Sequence, residues 1–298
     1  MSRDRAFATV HEALQEALGR TLQPAPAAAV AGGSINQCVR WNGDGASLFV
    51  KLAPAERLAM FEAEAAGLRE LASAAALRVP EVISAGTAGG QAWLALSWIE
   101  FGPNTRRSEA RLGERLAMLH RVGAPRFGWH RDNTIGSTPQ RNDWNADWVR
   151  FFVALRLDAQ LALAEGNGVA PRLLDRGREL GEQAGALFSS YRPVPSLLHG
   201  DLWAGNWGTD DSGEPVIFDP AVYFGDRETD IAMTRLFGGF GPAFYAAYQS
   251  AWPLDQAAGT RRTLYNLYHV LNHFNLFGGG YAAQAESMIE RLLAELGH

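Results

Sequence analysis

The sequence predicts an α+β fold with two lobes: a small antiparallel sheet with one crossing helix over residues 1–101, and a mainly helical lobe over residues 102–298. Two observations carry this prediction. Asn-Gly and Asp-Gly dipeptides at residues 42–45 separate two strand-like runs, which is typical of a β-hairpin. After residue 100, apolar residues recur at helical spacing in one segment after another. A Gly-Pro pair interrupts the chain between these regions, so we place the hinge at residues 97–102.

The composition is that of a soluble globular protein and excludes several classes of protein. Of 298 residues, 47% are hydrophobic and 20% are charged, which is enough to bury a large core. We find no apolar stretch as long as a membrane span and no apolar leader, so we expect neither a transmembrane helix nor a signal peptide. A net charge of −5 without a basic stripe indicates no nucleic-acid or membrane partner. The single cysteine, Cys38, cannot form an internal disulfide and fits a reducing cytoplasm.

The first lobe is predicted to contain two helices and several strands. Apolar spacing predicts helices over residues 5–18 and 57–72. Strands are predicted at 30–36, which runs into a glycine turn, at the hairpin arms 39–41 and 47–52, and at 79–84 and 92–99. Because side chains alternate along a strand, Lys51 and Phe49 share the face opposite to Leu48, Val50 and Leu52.

Lys51 is the only lysine among 27 basic residues. A coding bias toward arginine is one explanation of this ratio. The other is that the chain needs a lysine at this position, because a compact ammonium is not equivalent to a planar guanidinium at a phosphate. On the wheel of helix 57–72, Glu64 falls at about 240°, within the apolar arc, whereas Glu62 falls at about 40°, outside it. A carboxylate on a core-facing stripe needs a partner. We therefore predict a buried or half-buried ion pair between Lys51 and Glu64.

The second lobe is predicted to be mainly helical. Its helices are expected at residues 108–122, with Ser108 as the N-cap, and at 144–165, 172–190, 242–252, 260–277 and 282–296. His120, near the end of the first of these helices, is interpreted as structural.

The strongest chemical signal lies at residues 197–219. An apolar approach leads into a tight turn that carries Asp201 and, five residues later, Asn206, and a short strand at 216–218 then delivers Asp219. Phosphoryl transfer needs a carboxylate to accept the proton of the acceptor hydroxyl, and an amide oxygen with a second carboxylate to hold Mg²⁺. A lone aspartate in a turn is usually a cap. The three residues at this spacing together predict a kinase-type site.

These residues carry a resemblance to a known family. Residues 199–206 resemble the catalytic loop of the protein-kinase-like small-molecule kinases, with His-Gly-Asp in place of His-Arg-Asp. The wider match is to the fructosamine kinase (ketosamine-3-kinase) family. It rests on His-Gly-Asp-Leu-Trp-Ala-Gly-Asn at 199–206, Phe-Asp-Pro-Ala-Val-Tyr-Phe-Gly-Asp-Arg-Glu-Thr-Asp-Ile-Ala at 218–232, Phe-Gly-Trp at 127–129, Asn-Asp-Trp at 142–144 and Leu-Asn-His-Phe-Asn at 271–275. The resemblance covers almost the whole chain and implies a protein-kinase-like fold.

The resemblance implies roles for the residues of the catalytic loop. Asp201 would be the catalytic base, and Asn206 with Asp219 would hold Mg²⁺. Pro220 follows Asp219, so the phenylalanine-driven activation switch of protein kinases is not expected. Asp230 would brace the catalytic loop from behind, although the residues alone also allow it to be the N-cap of the helix that follows.

The resemblance also implies how ATP would bind. Lys51, paired with Glu64, would contact the α and β phosphates. The backbone of Gly32, Gly33 and Ser34 would cover the phosphates, although this turn is not a Gly-x-Gly-x-x-Gly loop. The adenine would be read by main-chain groups at the hinge, contributed by Trp98, Ile99, Glu100 and Phe101.

Two further residues are interpreted as acceptor-binding. Trp203 stands two residues from Asp201, and its flat apolar face suits a sugar or its linked amine. His273 lies among apolar residues of a helix, where a satisfied core histidine is the alternative interpretation.

Three hypotheses of function follow. The first is an ATP-dependent kinase that phosphorylates the 3-hydroxyl of ketosamines, the sugar–amine adducts of glycation, and so leads to deglycation. The second is a kinase of the same fold acting on another small hydroxyl compound, such as an aminoglycoside or choline. The third, a non-catalytic nucleotide-binding pseudokinase, predicts loss of the lysine, the base or the metal-binding aspartate, and all three are present.

Overall fold

The N-terminal region is built on a five-stranded antiparallel sheet. The computed structural model describes residues 3–19, 21–23, 28–30, 36–43 and 47–297. The strands lie in the order β1-β2-β3-β5-β4, with bounds β1 (Ala28–Ala29), β2 (Gln37–Asn42), β3 (Ser47–Pro54), β4 (Val82–Ala88) and β5 (Gln91–Ser97). The predicted hairpin is the pair β2–β3. Strand β4 begins at Val82 and not at residue 79, because Pro80 has no N–H to donate to a ladder.

Two helices cover the two faces of this sheet. They are α1 (Arg3–Leu18) and α2 (Leu58–Ser73), and a 3₁₀ turn (Ala55–Arg57) leads into α2. Val10 of α1 belongs to the same buried cluster as Val50, whereas Phe61 of α2 packs in a second cluster with Leu94. The predicted alternation along β3 is therefore present, and it turns Lys51 toward α2.

Three smaller sheets follow. They contain β6 (Phe101–Gly102), β7 (Asn133–Ile135), β8 (Thr138–Gln140), β9 (Ser196–Leu198), β10 (Trp207–Asp210), β11 (Pro215–Ile217) and β12 (Tyr223–Gly225), paired as β11-β10-β6, β12-β9 and β7-β8. Because β5 belongs to the first sheet and β6 to a later one, the chain crosses between sheets within residues 97–102. The hinge and the boundary between the lobes stay predictions.

Helices dominate the second region, as predicted. They are α3 (Arg106–His120), α4 (Trp148–Phe152), α5 (Asp158–Gly166), α6 (Pro171–Gln183), α7 (Glu228–Met233), α8 (Pro242–Ala251), α9 (Ala258–Phe277) and α10 (Tyr281–Glu295). The N-cap predicted for the first of them is wrong. Thr105 caps α3, and Ser108 is the third helical residue, whose Oγ accepts from the Thr105 N–H at 3.0 Å to complete a capping box.

The single helix predicted over residues 144–165 is divided into three parts. It begins only at Trp148, because the Asp147 carboxylate caps the Arg150 N–H at 2.8 Å. A π-helical turn (Val153–Leu157) then separates α4 from α5. This turn buries Arg156 completely, with its guanidinium 4.3 Å from the centre of the Tyr223 ring.

The largest hydrophobic core belongs to the helical region but reaches into the first one. Leu71, at the end of α2, and Leu77, after it, belong to the same buried cluster as Leu116 of α3 and Leu267 of α9. One end of helix α2 is thereby anchored in the core of the helical region. In the part of the chain that the structure describes, no helix is both long and apolar enough to cross a membrane.

Candidate active site

A cleft between the first sheet and the loop after β9 brings six of the predicted site residues together. Its cavity has a volume of about 160 Å³. The predicted residues that line it are Lys51, Glu64, Asp201, Trp203, Asn206 and Asp219. Distant parts of the sequence therefore meet in one place, as the kinase-type interpretation requires.

The backbone at Gly200 forces the turn that presents Asp201. Its φ is 84°, and a Cβ there would lie 2.0 Å from the Ala221 carbonyl oxygen, so no other residue fits without rearrangement. Behind the turn, the Asp230 carboxylate accepts the N–H groups of His199 at 2.8 Å and Gly200 at 2.9 Å. Asp230 thus braces the loop. The alternative reading as an N-cap is wrong, because α7 begins two residues earlier, at Glu228.

His199 locks the same turn from the inside. Its Nε2 donates to the Phe218 carbonyl at 2.9 Å, so Nδ1 is free of a proton and accepts the Asp201 N–H at 3.3 Å. His120, which the sequence indicates as structural, is fully buried and contacts the Asp230 carboxylate at 3.1 Å. The side chains of His199, His120 and Asp230 together fix the position of Asp201.

The surroundings of the Asp201 carboxyl group raise its pKa. Desolvation, followed by repulsion from Asp219 and Asp230, raises the pKa of Asp201 to about 7. The Asn206 amide opposes this shift, since its Nδ2 donates to the Asp201 carbonyl at 2.8 Å and to its carboxylate at 3.3 Å. A carboxyl group that titrates close to pH 7 is suited to act as a general base.

The predicted ion pair between Lys51 and Glu64 is present and nearly buried. Lys51 Nζ lies 2.7 Å from Glu64 Oε1, and the two side chains are 6% and 12% exposed. Lys51 also contacts Asp219 Oδ1 at 2.5 Å, which the sequence did not reveal. Burial alone would lower the pKa of Lys51, but the two carboxylates outweigh it and raise that pKa above its ordinary value. The lysine therefore stays charged and joins α2 to the segment that carries Asp219.

Asp219 adopts a left-handed backbone conformation beside Asn206. Its φ of 57° is uncommon outside glycine, asparagine and aspartate. The Asn206 carbonyl accepts the Phe218 N–H at 3.0 Å, so the hairpin β10–β11 brings both predicted metal ligands to one place. The Asn206 amide nitrogen is engaged with Asp201, which leaves its side-chain oxygen for a cation, and the Asp219 side chain is 45% exposed.

The predicted nucleotide-binding residues other than Lys51 and Glu64 fall into two groups, one outside the described residues and one outside the cavity. Gly32, Gly33 and Ser34 lie outside the described residues. Trp98, Ile99, Glu100 and Phe101 do not line the cavity. Two of their main-chain groups are already engaged, the Trp98 N–H with Ser47 and the Glu100 carbonyl with Asp211. That the hinge reads adenine stays a prediction. The Trp98 N–H is already engaged, whereas the Glu100 carbonyl, with two lone pairs, can accept a second hydrogen bond.

The two predicted acceptor-binding residues lie on either side of an aromatic residue that the sequence analysis missed. The Phe237 ring is 6.4 Å from Trp203 and 4.4 Å from His273. Trp203 is 37% exposed, with its ring over Gly205, where a Cβ would lie 2.3 Å away. His273 is half-buried, and its Nδ1 donates to the His269 carbonyl at 2.8 Å. The apolar run 236–240, interrupted by two glycines, was the available signal for Phe237.

The wall of the cleft formed by the hairpin β7–β8 was also missed. Asn133, Thr134 and Gly136 line the cavity beside Cys38 and Met60. Asn133 is fixed by a bond from its amide to the Val222 carbonyl at 2.7 Å. The hairpin is therefore tied to the segment just after Asp219. The hairpin was not predicted, because its short polar sequence shows no periodicity.

Comparisons with known proteins identify the family. The model of the fructosamine kinase family matches residues 6–295. The chain belongs to this family. The resemblance drawn from the motifs is thereby confirmed, and so is the protein-kinase-like fold.

Relatives of this fructosamine kinase family member support the same assignment. A "Probable ketoamine kinase" of Synechocystis sp. is 44% identical over 96% of both chains. A chloroplastic protein-ribulosamine 3-kinase of Arabidopsis thaliana is 41% identical over 93% of this chain and 86% of its own. The solved structure of a "Putative fructosamine-3-kinase" from Haemophilus somnus has a TM-score of 0.86 at 28% identity, covering 96% of this chain and 97% of its own. An aminoglycoside phosphotransferase, APH(4)-Ia, with a TM-score of 0.66 and 15% identity over 97% and 99% of the two chains, shares the fold.

Proposed function

We propose that this protein is an ATP-dependent kinase that phosphorylates the 3-hydroxyl of ketosamines. The observation that carries the proposal is the cleft in which Asp201 lies beside Asn206 and Asp219, with Lys51 bound to both Asp219 and Glu64. Relatives named ketoamine kinase and ribulosamine 3-kinase support this substrate class. The resulting ketosamine 3-phosphate is expected to break down and release the amine, so the role would be deglycation. We place the reaction in the cytoplasm, which fits a chain with one cysteine.

Asp201 would act as the general base. As the acceptor oxygen forms its bond to the γ-phosphorus and the bond from that phosphorus to the β-phosphate oxygen breaks, the hydroxyl proton passes to the Asp201 carboxylate. The raised pKa makes this carboxylate a better proton acceptor near pH 7 than an ordinary aspartate. Asn206 and Asp230 would keep it in line by holding the turn.

The oxygens of Asn206 and Asp219 fit a magnesium ion. A carboxylate and an amide oxygen are hard ligands of the kind that Mg²⁺ prefers, and it commonly uses few protein ligands together with substrate phosphates. The phosphates of ATP would complete the coordination of the ion. When bound, the ion would neutralise charge on the phosphates.

Lys51 would contact the α and β phosphates of ATP, while Glu64 holds its ammonium in place. Lys51→Ala is expected to lower kcat/KM for ATP by roughly 10²–10³, because a preorganised charge aimed at the transferring group is lost. The free energy of unfolding should fall by less than the activation free energy of transfer rises, since the Glu64 carboxylate can take up a proton when Lys51 is gone. Steady-state kinetics and a melting curve measure the two effects. An unchanged kcat/KM in the folded variant would remove Lys51 from the site.

The acceptor would lie between the catalytic loop and α9. Trp203 would stack on the sugar or its linker, and His273 would hydrogen-bond a hydroxyl, which fixes the oxygen that faces Asp201. Trp203→Ala should lower the ratio of ketosamine phosphorylation to ATP hydrolysis by roughly fivefold or more, since a stacked aromatic contact contributes about 1 kcal/mol beyond the area it buries. Trp203→Phe, which keeps a flat face, is the control. If the ratio in the alanine variant equals that of the wild type, the acceptor binds elsewhere.

An ATP-consumption screen tests the proposed substrate class. Fructosamine, ribulosamine and erythrulosamine derivatives are offered beside aminoglycosides and choline, with Asp201→Asn as the blank. We expect turnover with at least one ketosamine and none with the other compounds. Turnover confined to an aminoglycoside or choline would replace the proposal with the second hypothesis.

A further inference from the structure

Aromatic rings continue from the cleft to the protein surface in an unbroken series of contacts. From Trp203 the series passes to Phe237 and on to His273, which in turn lies 5.6 Å from Phe277 and 5.3 Å from Tyr281. We call these five residues the aromatic shelf. Only Trp203 lines the cavity itself. The shelf therefore begins next to the base and leads away from it.

The outer end of the shelf is open. Phe277 is the last residue of α9 and is 56% exposed, although it is a large apolar side chain. Gly278, with a φ of 65°, ends the helix there and turns the chain so that Tyr281, the first residue of α10, reaches the same histidine. A single exposed apolar side chain is ordinary, but apolar surface that continues without a break from a site is a mark of ligand binding.

The histidine of the shelf is neutral. Because a carbonyl can only accept, the His273 Nδ1 carries the proton that it donates to His269, and burial lowers the pKa of the ring. Its Nε2 is consequently an acceptor, with no hydrogen-bond partner within the described residues. The shelf thus presents ring faces with few polar atoms, which are His273 Nε2, the Trp203 indole N–H and the Tyr281 hydroxyl. Its phenylalanine rings suit an apolar group, while His273 Nε2 can accept from a hydroxyl of the adjoining sugar.

We propose that the aromatic shelf binds the substituent on the amine of the ketosamine and selects apolar and aromatic amines. This inference rests on the proposed function and deepens it. The sugar hydroxyl must face Asp201 within the cavity, so the amine end of the substrate leaves past Trp203. Along that path the rings of Phe237 and Phe277 can bury an apolar substituent, which lowers the free energy of binding. The protonated amine itself can lie against the ring faces.

Two ketosamines with the same sugar test the proposal, one formed from methylamine and the other from 2-phenylethylamine. The quantity measured is the ratio of their kcat/KM values for the wild type, Phe277→Ala and Met118→Ala. Met118 is a matched control, because it is 57% exposed on α3 and lies outside the shelf. We expect the phenylethyl adduct to be preferred about tenfold by the wild type and by Met118→Ala, and the preference to fall at least threefold in Phe277→Ala.

The outcomes separate this inference from the function on which it rests. If the wild type phosphorylates both adducts with equal kcat/KM, or if Phe277→Ala keeps the wild-type preference, the shelf does not bind the amine substituent, while the kinase function stands. If the wild type phosphorylates neither adduct, nor any other ketosamine, the proposed function fails and the shelf proposal fails with it.

Discussion

Asp201→Asn is expected to lower phosphoryl transfer by roughly 10²–10⁴ and to leave ATP binding largely intact, because it removes the proton acceptor and preserves the shape of the side chain. The fold should survive, since Gly200, His199 and Asp230 hold the turn through groups that the substitution does not touch. Single-turnover transfer and nucleotide titration measure the two quantities separately. Equal turnover in the variant would contradict the assignment of the base.

The same variant has a predicted signature in stability. The pKa of Asp201 in the folded protein, about 7, lies above its ordinary value of 3.8, so the folded state holds this proton more tightly than the unfolded state. The wild type should therefore lose stability from this group as pH rises from about 4 to about 7. Asp201→Asn should lose less between pH 5 and pH 8, which melting curves at the two pH values measure. Asp211→Asn, on the exposed turn of the neighbouring hairpin, is the control.

Asp219→Asn is expected to weaken metal-dependent nucleotide binding by roughly 10–100-fold or more. Losses of roughly that size are typical when a residue that only orients a metal ligand is replaced, and Asp219 is proposed as a ligand itself. The substitution is well suited to the test, because asparagine tolerates the positive φ found at this position. The substitution also removes the negative charge of Asp219 that pairs with Lys51, and Lys51 keeps Glu64 as its partner. The KM for ATP as a function of Mg²⁺ concentration measures the effect.

Asp211→Asn again serves as the matched control for Asp219→Asn. A KM for ATP that rises in Asp219→Asn and can be restored by higher Mg²⁺ would agree with a lost ligand. An unchanged dependence on Mg²⁺ would show that Asp219 serves only to hold Lys51.

Patterns that are local in the sequence predicted much of the fold and of the site. Alternation along β3 turned Lys51 toward α2, and the helical wheel selected Glu64 over Glu62, so the two periodicities together gave the ion pair. The tight turn at 197–206 and the strand before Asp219 likewise indicate a kinase-type site by their own residues and spacing. In each case the side chain's direction follows from the period of one element and its immediate neighbour.

Features that depend on contacts between distant segments were not predictable in this way. The bond between Lys51 and Asp219 joins residues that are far apart in the chain, and no periodicity relates them. The π-helical turn that buries Arg156 depends on the rings of Tyr223 and Tyr268, which come from other elements. Phe237 lies in a glycine-containing loop, whose path is set by its packing against Trp203 and His273. The cap at Thr105 was missed because Ser108 is an equally good capping residue by type.

The position of the phosphate on the product tests the central claim most directly. A ketosamine is incubated with ATP and Mg²⁺, and phosphorus–proton correlation spectra are recorded before the product breaks down, with Asp201→Asn alongside. The account predicts that the phosphorus couples to the proton on C3 of the sugar, and that this signal forms at least about a hundredfold more slowly in the variant. A phosphate on another carbon, or a signal that forms at the same rate in Asp201→Asn, would contradict it.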